Sequence, residues 1–371
     1  MTTAAKSGCL SPINGRESRQ IECVRVLCIS AMMWVHVTPG LSSPSFVSVG
    51  DFKFVGDFLG QTLGRISVAL LSFISGYLFW LKAHDQPILR VLTKRVGTLY
   101  LPVLVWSAVF IALASGREFL LGLPSSALGR VGETPMALIN AWTGLTGPMA
   151  NLSLLFVRDM IVSTVLVRLL VPAIKRAPVL VAIAAVALSL PQATFAPLLF
   201  RVGILQFMLL GALTARWGVR LSTLSKPVIS ISAGFGLILG SVVAGWLPHD
   251  QLALQFDPVP LMRRAGIGFF ALALTGAILD APLAHWLARL GRDSFLAYLM
   301  HVPLIGVIWA IWHRLVGNEF APSYLIFFIF SPVLVFSLAQ RLGRFLDRAP
   351  PGLSRMLRGP ARVSPALSDR R

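Results

Sequence analysis

Apolar runs separated by short polar connections recur along the whole chain. They fall at 22–41, 63–82, 98–116, 151–171, 177–192, 197–215, 227–247, 261–280, 294–313 and 321–341. A helix of ~20 apolar residues matches the ~30 Å hydrocarbon core of a bilayer, where only helices and closed barrels satisfy their backbone groups. The pattern therefore predicts an all-α, polytopic integral membrane protein with about ten transmembrane helices. The fifth run is the least sharply bounded, because Pro178 and Pro191 bracket it.

The connections alternate in charge. With the N-terminus in the cytoplasm, that side receives Lys82, Arg90, Lys94 and Arg95, then Lys175 and Arg176, then Arg216, Arg220 and Lys226, then Arg289 and Arg292, and finally Arg341, Arg344 and Arg348. The other side receives Pro191-Gln192-Ala193-Thr194 and the acidic stretch from Pro248-His249-Asp250 to Asp257-Pro258. This is the positive-inside distribution, and an even number of spans places both termini in the cytoplasm. Three regions follow: a cytoplasmic N-terminal segment (1–20), a membrane domain (21–341) and a basic, Pro-rich cytoplasmic tail (342–371) expected to lack structure. The longest outer connection, roughly 117–150, is rich in Gly, Pro, Ser and Thr. No repeat of fixed period is visible, and no cleavable signal follows the polar N-terminus.

Composition narrows the class. Of 371 residues, 56% are apolar and 13% charged, which excludes a soluble enzyme of ordinary composition and a disordered chain. The net charge of +18 follows the topology and brings no aromatic-basic repeat, so no nucleic acid is expected and the bilayer is the partner. Cys9, Cys23 and Cys28 offer neither a disulfide framework nor a zinc site. No metal and no bound cofactor are expected.

The chemistry is expected where polar residues interrupt apolar runs. Arg25 and His36 lie eleven positions apart in the first run. Eleven helical residues turn ~1100°, so the two share a face at ~16 Å of separation, with Glu22 near the same stripe. An ionisable group at membrane depth marks a functional site by default, because burying it in lipid is unfavourable. Arg65, Arg201, Arg263 and Arg264 open outer span ends, and for Arg65, Arg201 and Arg263 snorkelling is an equal explanation. Arg158 lies deeper, and adjacent Asp159 points ~100° away on a helix, so it is expected to neutralise Arg158 only in part. Guanidinium groups around a cavity suit phosphate, carboxylate or charge developing on oxygen. His36 carries the side chain whose ordinary pKa of ~6.5 suits proton transfer.

Other features read as structural. Ser75 lacks the first glycine of a nucleophile elbow, so it reads as helix packing. Gly234, Gly236 and Gly240 lie mid-span without Lys-Ser/Thr, and Gly236-x-x-x-Gly240 is a small-residue packing pattern. His301, beside Pro303, is either an inner-side partner of the site or a packing residue at a kink.

The stripe Arg25-x10-His36 is followed by Arg65 with Phe73-Ile74-Ser75-Gly76-Tyr77-Leu78, then Lys94-Arg95 leading to Tyr100-Leu101-Pro102, then Phe156-Val157-Arg158-Asp159, then Ser294 to Tyr298-Leu299-Met300-His301-Val302-Pro303-Leu304. In order and spacing, from about residue 16 to 341, this resembles the integral-membrane acyltransferase-3 family. Three elements depart from the family pattern. Ala69, Leu71 and Ser72 replace a Pro and a Phe-Phe pair, Thr98 replaces an arginine, and Leu155 replaces a tryptophan.

The resemblance implies transfer of an acyl group, most often acetyl, from acyl-CoA (acetyl-CoA as the usual donor) to a sugar hydroxyl of a surface or secreted glycan. It implies a multi-pass protein of the cell (inner) membrane whose partners are the donor, the glycan and the bilayer. On that reading His36 is the general base, with Arg158 and Arg25 as catalytic partners. Glu22, Arg65, Asp159, Ser75 and His301 contribute to substrate binding. Transfer is either direct or by way of acyl-His36. A ten-span exporter using intramembrane Arg and His, or a packing subunit of an export complex, would share the same hydropathy; paired broken helices, which such exporters commonly show, are not evident.

Overall fold

The structure, a computed structural model, describes residues 13–37, 55–121, 134–189, 195–246, 259–319 and 321–359. Every regular element among them is helical: α1 (Gly15–Val35), a π-helical lead-in (Asp57–Gly64) to α2 (Arg65–Ala83), α3 (Ile88–Arg95), and a second π-helical stretch (Val96–Tyr100) leading into α4 (Leu101–Leu121). Then follow α5 (Pro135–Thr143), α6 (Leu155–Leu169), α7 (Val171–Arg176), α8 (Pro178–Ala187), α9 (Val202–Arg216), α10 (Leu221–Leu224), α11 (Pro227–Trp246) and α12 (Val259–Ala277). The last elements are α13 (Pro282–Gly291), α14 (Ser294–Leu315), α15 (Ser323–Leu346) and α16 (Pro351–Arg358).

All of the expected apolar runs contain helix, but they are not equal. Among the described residues five helical stretches are long and apolar enough to cross a membrane: Phe58–Ala83, Ile88–Gly116, Pro227–Ala244, Ser294–Leu315 and Ser323–Leu346. A sixth appears if α12 and α13, bent by 118° at their junction, count as one span. The other segments fall short for separate reasons. α6 and α9 have 15 residues each and α8 has 10, whereas α1 has 21 residues with Arg16, Glu17, Arg19, Glu22 and Arg25 in its first half.

α1 begins at Gly15, earlier than the expected boundary of the membrane domain, because Asn14 caps it: the Asn14 side chain accepts from the Glu17 N–H at 2.8 Å. The first turns then bury polar groups that hydropathy assigned to a cytoplasmic segment. Glu17 accepts from the Tyr77 hydroxyl at 3.0 Å and from the Leu221 N–H at 3.2 Å, tying α1 to α2 and α10. A buried carboxylate is tolerated when donors surround it in this way. A polar cavity of about 230 Å³ opens beside this network, lined in part by Arg16, Gln20, Ser225 and Lys226.

Small residues set the closest helix contacts, as expected where lipid gives no hydrophobic drive between helices. A Cβ on Gly76 of α2 would lie 2.0 Å from the Met208 carbonyl oxygen of α9, and one on Gly211 of α9 would lie 2.0 Å from the Phe73 carbonyl oxygen. Gly234 and Gly266 bring α11 and α12 together, each Cβ falling 2.9 Å from the other's carbonyl oxygen. Gly240 packs on Met262, but Gly236 has nothing within 4 Å, so the expected Gly236-x-x-x-Gly240 contact is replaced by one from Gly234 and Gly240.

Two connections carry structure where the sequence pattern gives none. Within 117–150, α4 continues to Leu121 and α5 occupies Pro135–Thr143, capped by the Thr134 side chain. Between 342 and 359, α15 runs on to Leu346 and α16 follows, which corrects the expected unstructured tail over those residues. α16 is held because Trp106 of α4 donates to the Leu357 carbonyl at 2.8 Å and Arg358 pairs with Asp347 at 2.6 Å. Residues 360–371 of the tail, the Pro248–Asp257 loop and residues 1–12 lie outside the described residues.

Candidate active site

The C-terminal end of α1, the start of α6 and the middle of α14 meet inside the bundle. His36 caps α1, its backbone N–H bonded to the Met33 carbonyl at 2.9 Å, so its ring leaves the helix end instead of lying along the barrel. His36 Nε2 and Ser153 Oγ share a hydrogen bond of 3.0 Å. The ring centre of His301 lies 5.3 Å from that of His36, with the planes inclined by 59°. The Tyr298 hydroxyl donates to the Ser153 carbonyl at 2.5 Å, which pins the segment carrying Ser153 to α14.

His301 is fully buried, and its Nδ1 lies 2.5 Å from the Tyr298 carbonyl. A carbonyl only accepts, so Nδ1 carries the proton and Nε2 of the neutral ring is a bare lone pair. Among the described residues no hydrogen-bond partner meets that Nε2. Of the two readings of His301, inner-side partner of the site or packing residue at a kink, the structure places it beside His36, so the two imidazoles are neighbours. The reason is the depth of entry. His36 lies at the end of a helix begun at Gly15, whereas His301 lies two turns into α14, whose first residues are already buried.

Arg25 does not reach the imidazoles. Its guanidinium pairs with Glu22 at 2.9 Å, both side chains about one-fifth exposed (22% and 21%). Gly291 of α13 lies under Glu22; a Cβ there would come within 2.7 Å of the carboxylate. The stripe on α1 is thus a carboxylate–guanidinium pair at one level and an imidazole cluster ~16 Å further along the axis.

Arg158 is committed to the protein. Its guanidinium donates to Asp159 at 2.7 Å, to the Leu198 carbonyl at 2.6 Å, to the Pro197 carbonyl at 2.6 Å and to the Leu145 carbonyl at 3.1 Å, and it lies 5.0 Å from the Phe200 ring centre. Its partnership with Asp159 is direct, contrary to the partial neutralisation expected from helical angles, because a long Arg side chain at the first turn of α6 can fold back on its neighbour. The second Asp159 oxygen accepts the Arg201 N–H at 2.9 Å. Arg158 and Asp159 together fasten the 195–201 segment and the start of the 144–150 segment over the start of α6.

Three residues join the site that sequence reasoning did not single out for it. Ser153 and Tyr298 carry no charge and sit in apolar surroundings, so only the contact with His36 gives them away. Arg201, treated as an even case for snorkelling, donates to the Leu152 carbonyl at 3.2 Å, and its charge acts on both His36 and Tyr298. Ser75, by contrast, donates to the Met160 sulfur at 3.4 Å at the α2–α6 contact and is remote from any base among the described hydrogen bonds. Arg65 opens α2, and its side chain lies outside the described residues. Among the described residues no group of His, Cys, Asp and Glu could hold a metal ion.

An imidazole pair, His301 buried and His36 half-buried with its ring engaged by a hydroxyl, is equipped to move a proton to or from an alcohol. Comparison with known proteins assigns the class: the acyltransferase domain family, the acyltransferase-3 type that the motifs resemble, matches residues 18–340, and the chain belongs to it. The succinoglycan biosynthesis protein ExoH of Rhizobium meliloti (strain 1021) is 28% identical over 352 residues, covering 92% of each chain. No solved structure matches.

Proposed function

We propose that this protein transfers an acyl group, acetyl in the simplest case, from acyl-CoA to a sugar hydroxyl of a surface or secreted polysaccharide. It would do so as a protein of the cell membrane with about ten spans and both termini in the cytoplasm. Membership of the acyltransferase family supports the reaction class, and the relative whose name refers to succinoglycan biosynthesis supports a polysaccharide acceptor. The single observation that carries the mechanism is the His36 Nε2–Ser153 Oγ hydrogen bond of 3.0 Å. On this reading an acceptor hydroxyl sits where that contact is made: on the imidazole nitrogen, at proton-transfer distance.

In this mechanism the acceptor hydroxyl occupies or bridges through the Ser153 position and gives its proton to His36 as its oxygen attacks the thioester carbonyl carbon. The carbon–sulfur bond breaks, and the departing sulfur takes the proton back from His36. Arg201, whose guanidinium holds the Leu152 carbonyl at 3.2 Å, next in the chain to Ser153, is the cation assigned to meet negative charge near His36. Arg158, with its donors on carbonyls and Asp159, acts by positioning the segment that carries Arg201. Arg25 and Glu22, one pantetheine-scale distance along α1, line the approach of the donor from the basic cytoplasmic side. The test is CoA thiol release by purified protein in proteoliposomes, with and without a polysaccharide acceptor. Release that depends on acceptor is expected; none in the presence of folded protein contradicts the proposal.

A further inference from the structure

An unpartnered polar atom in a fully buried side chain is rare, and His301 Nε2 is one. Its state is fixed from the far side of the ring, since Nδ1–H is held by the Tyr298 carbonyl at 2.5 Å. The neighbouring imidazole is His36, at 5.3 Å between ring centres with the planes inclined by 59°. The two rings share no hydrogen bond as they stand; turned edge to edge at that separation they would bring nitrogens to about 3 Å, a hydrogen bond. Tyr298 anchors both members of the arrangement, through its carbonyl to His301 and through its hydroxyl to the backbone of Ser153.

Resting on the reading of His36 as general base, we propose that His301 is a positioning residue: its Nε2 accepts an N–H of His36 when His36 is the imidazolium. In the resting site the hydroxyl at the Ser153 position donates to His36 Nε2, so the one ring proton of His36 is on Nδ1, and the ring must turn before that N–H meets His301 Nε2. Once the acceptor hydroxyl has passed its proton to Nε2, the ring is an imidazolium and the Nδ1–H bond to His301 gains a full charge. The interaction therefore strengthens as the reaction proceeds, and the part gained in the transition state raises kcat instead of tightening ground-state binding. No proton is transferred to His301; the proton still returns from His36 to the sulfur of the leaving CoA. The hydrogen bond is charge-assisted, the stronger class.

The two nitrogens of His301 can be replaced separately. Gln places an acceptor oxygen near the Nε2 position, whereas Asn places only a donor near Nδ1. In proteoliposomes with acyl-CoA and polysaccharide, His301→Gln is expected to keep kcat within about threefold of the native protein. His301→Asn and His301→Ala are expected to lose about 10- to 100-fold in kcat with KM little changed. Folding of each variant is checked by its thermal transition in detergent. If folded His301→Asn matches His301→Gln, the residue acts through packing or the Tyr298 anchor and the proposal is overturned. If folded His301→Gln is as inactive as His301→Ala, His301 is itself the proton acceptor and the proposal is again overturned. If the native protein releases no CoA, the acyltransfer reading fails instead, and the two failures are distinct.

Discussion

Imidazole chemistry in this protein depends on atoms that are individually cheap to remove. His36→Gln keeps a hydrogen-bonding group near Ser153 and removes the base, so acceptor-dependent CoA release should fall by roughly 10²- to 10⁴-fold without loss of thermal stability. Ser153→Ala separates a hydroxyl that marks the acceptor position from one that reacts. Activity within about tenfold of native is expected, and a covalent acyl-Ser153 trapped by mass spectrometry would contradict the direct route. Arg158→Ala should act on folding, because it strands the fully buried Asp159 and frees three carbonyls. Breaking a buried pair by removing one partner costs about 3–5 kcal/mol, which a lowered melting temperature in detergent would register. His36 and Arg158 were legible in the sequence as polar residues in apolar runs. Their different roles were not, since roles depend on which partners approach from α14 and from the 195–201 segment.

At the scale of the element, small residues decide how near the helices come. Gly76→Ala and Gly211→Ala each put a methyl 2.0 Å from backbone of the facing helix, where nothing flexible can yield. Both should lower folded yield sharply, while Gly236→Ala, with open space around it, should leave yield and melting temperature unchanged. Size-exclusion profiles of the three variants check this. Helix existence was readable from apolar runs throughout the chain, and Gly240 of α11 was readable as packing. The early start of α1 was not, because Glu17 and Gln20 look like cytoplasmic residues until Tyr77, Leu221 and Ser225 are seen beside them. α16 was hidden for a related reason: a short basic, Pro-rich segment has no signal of its own, and its order comes from Trp106 and Asp347.

Among the described residues the molecule sets an imidazole pair inside an apolar bundle, and on the proposed topology Lys and Arg collect in the cytoplasmic-side connections. On the proposed topology the donor arrives from that basic side, passes Arg25 and Glu22, and meets the glycan hydroxyl at His36, ~16 Å along α1. An exporter built from the same helices would move glycan without consuming a thioester. The most direct discrimination is therefore a single assay on purified protein in sealed proteoliposomes: labelled acetyl-CoA and unlabelled polysaccharide, followed by recovery of label on the polysaccharide. The account predicts label on sugar hydroxyls, matched by released CoA and lost in His36→Gln. Polysaccharide transported across the vesicle membrane with no label incorporated, or incorporation unaffected by His36→Gln, would contradict it.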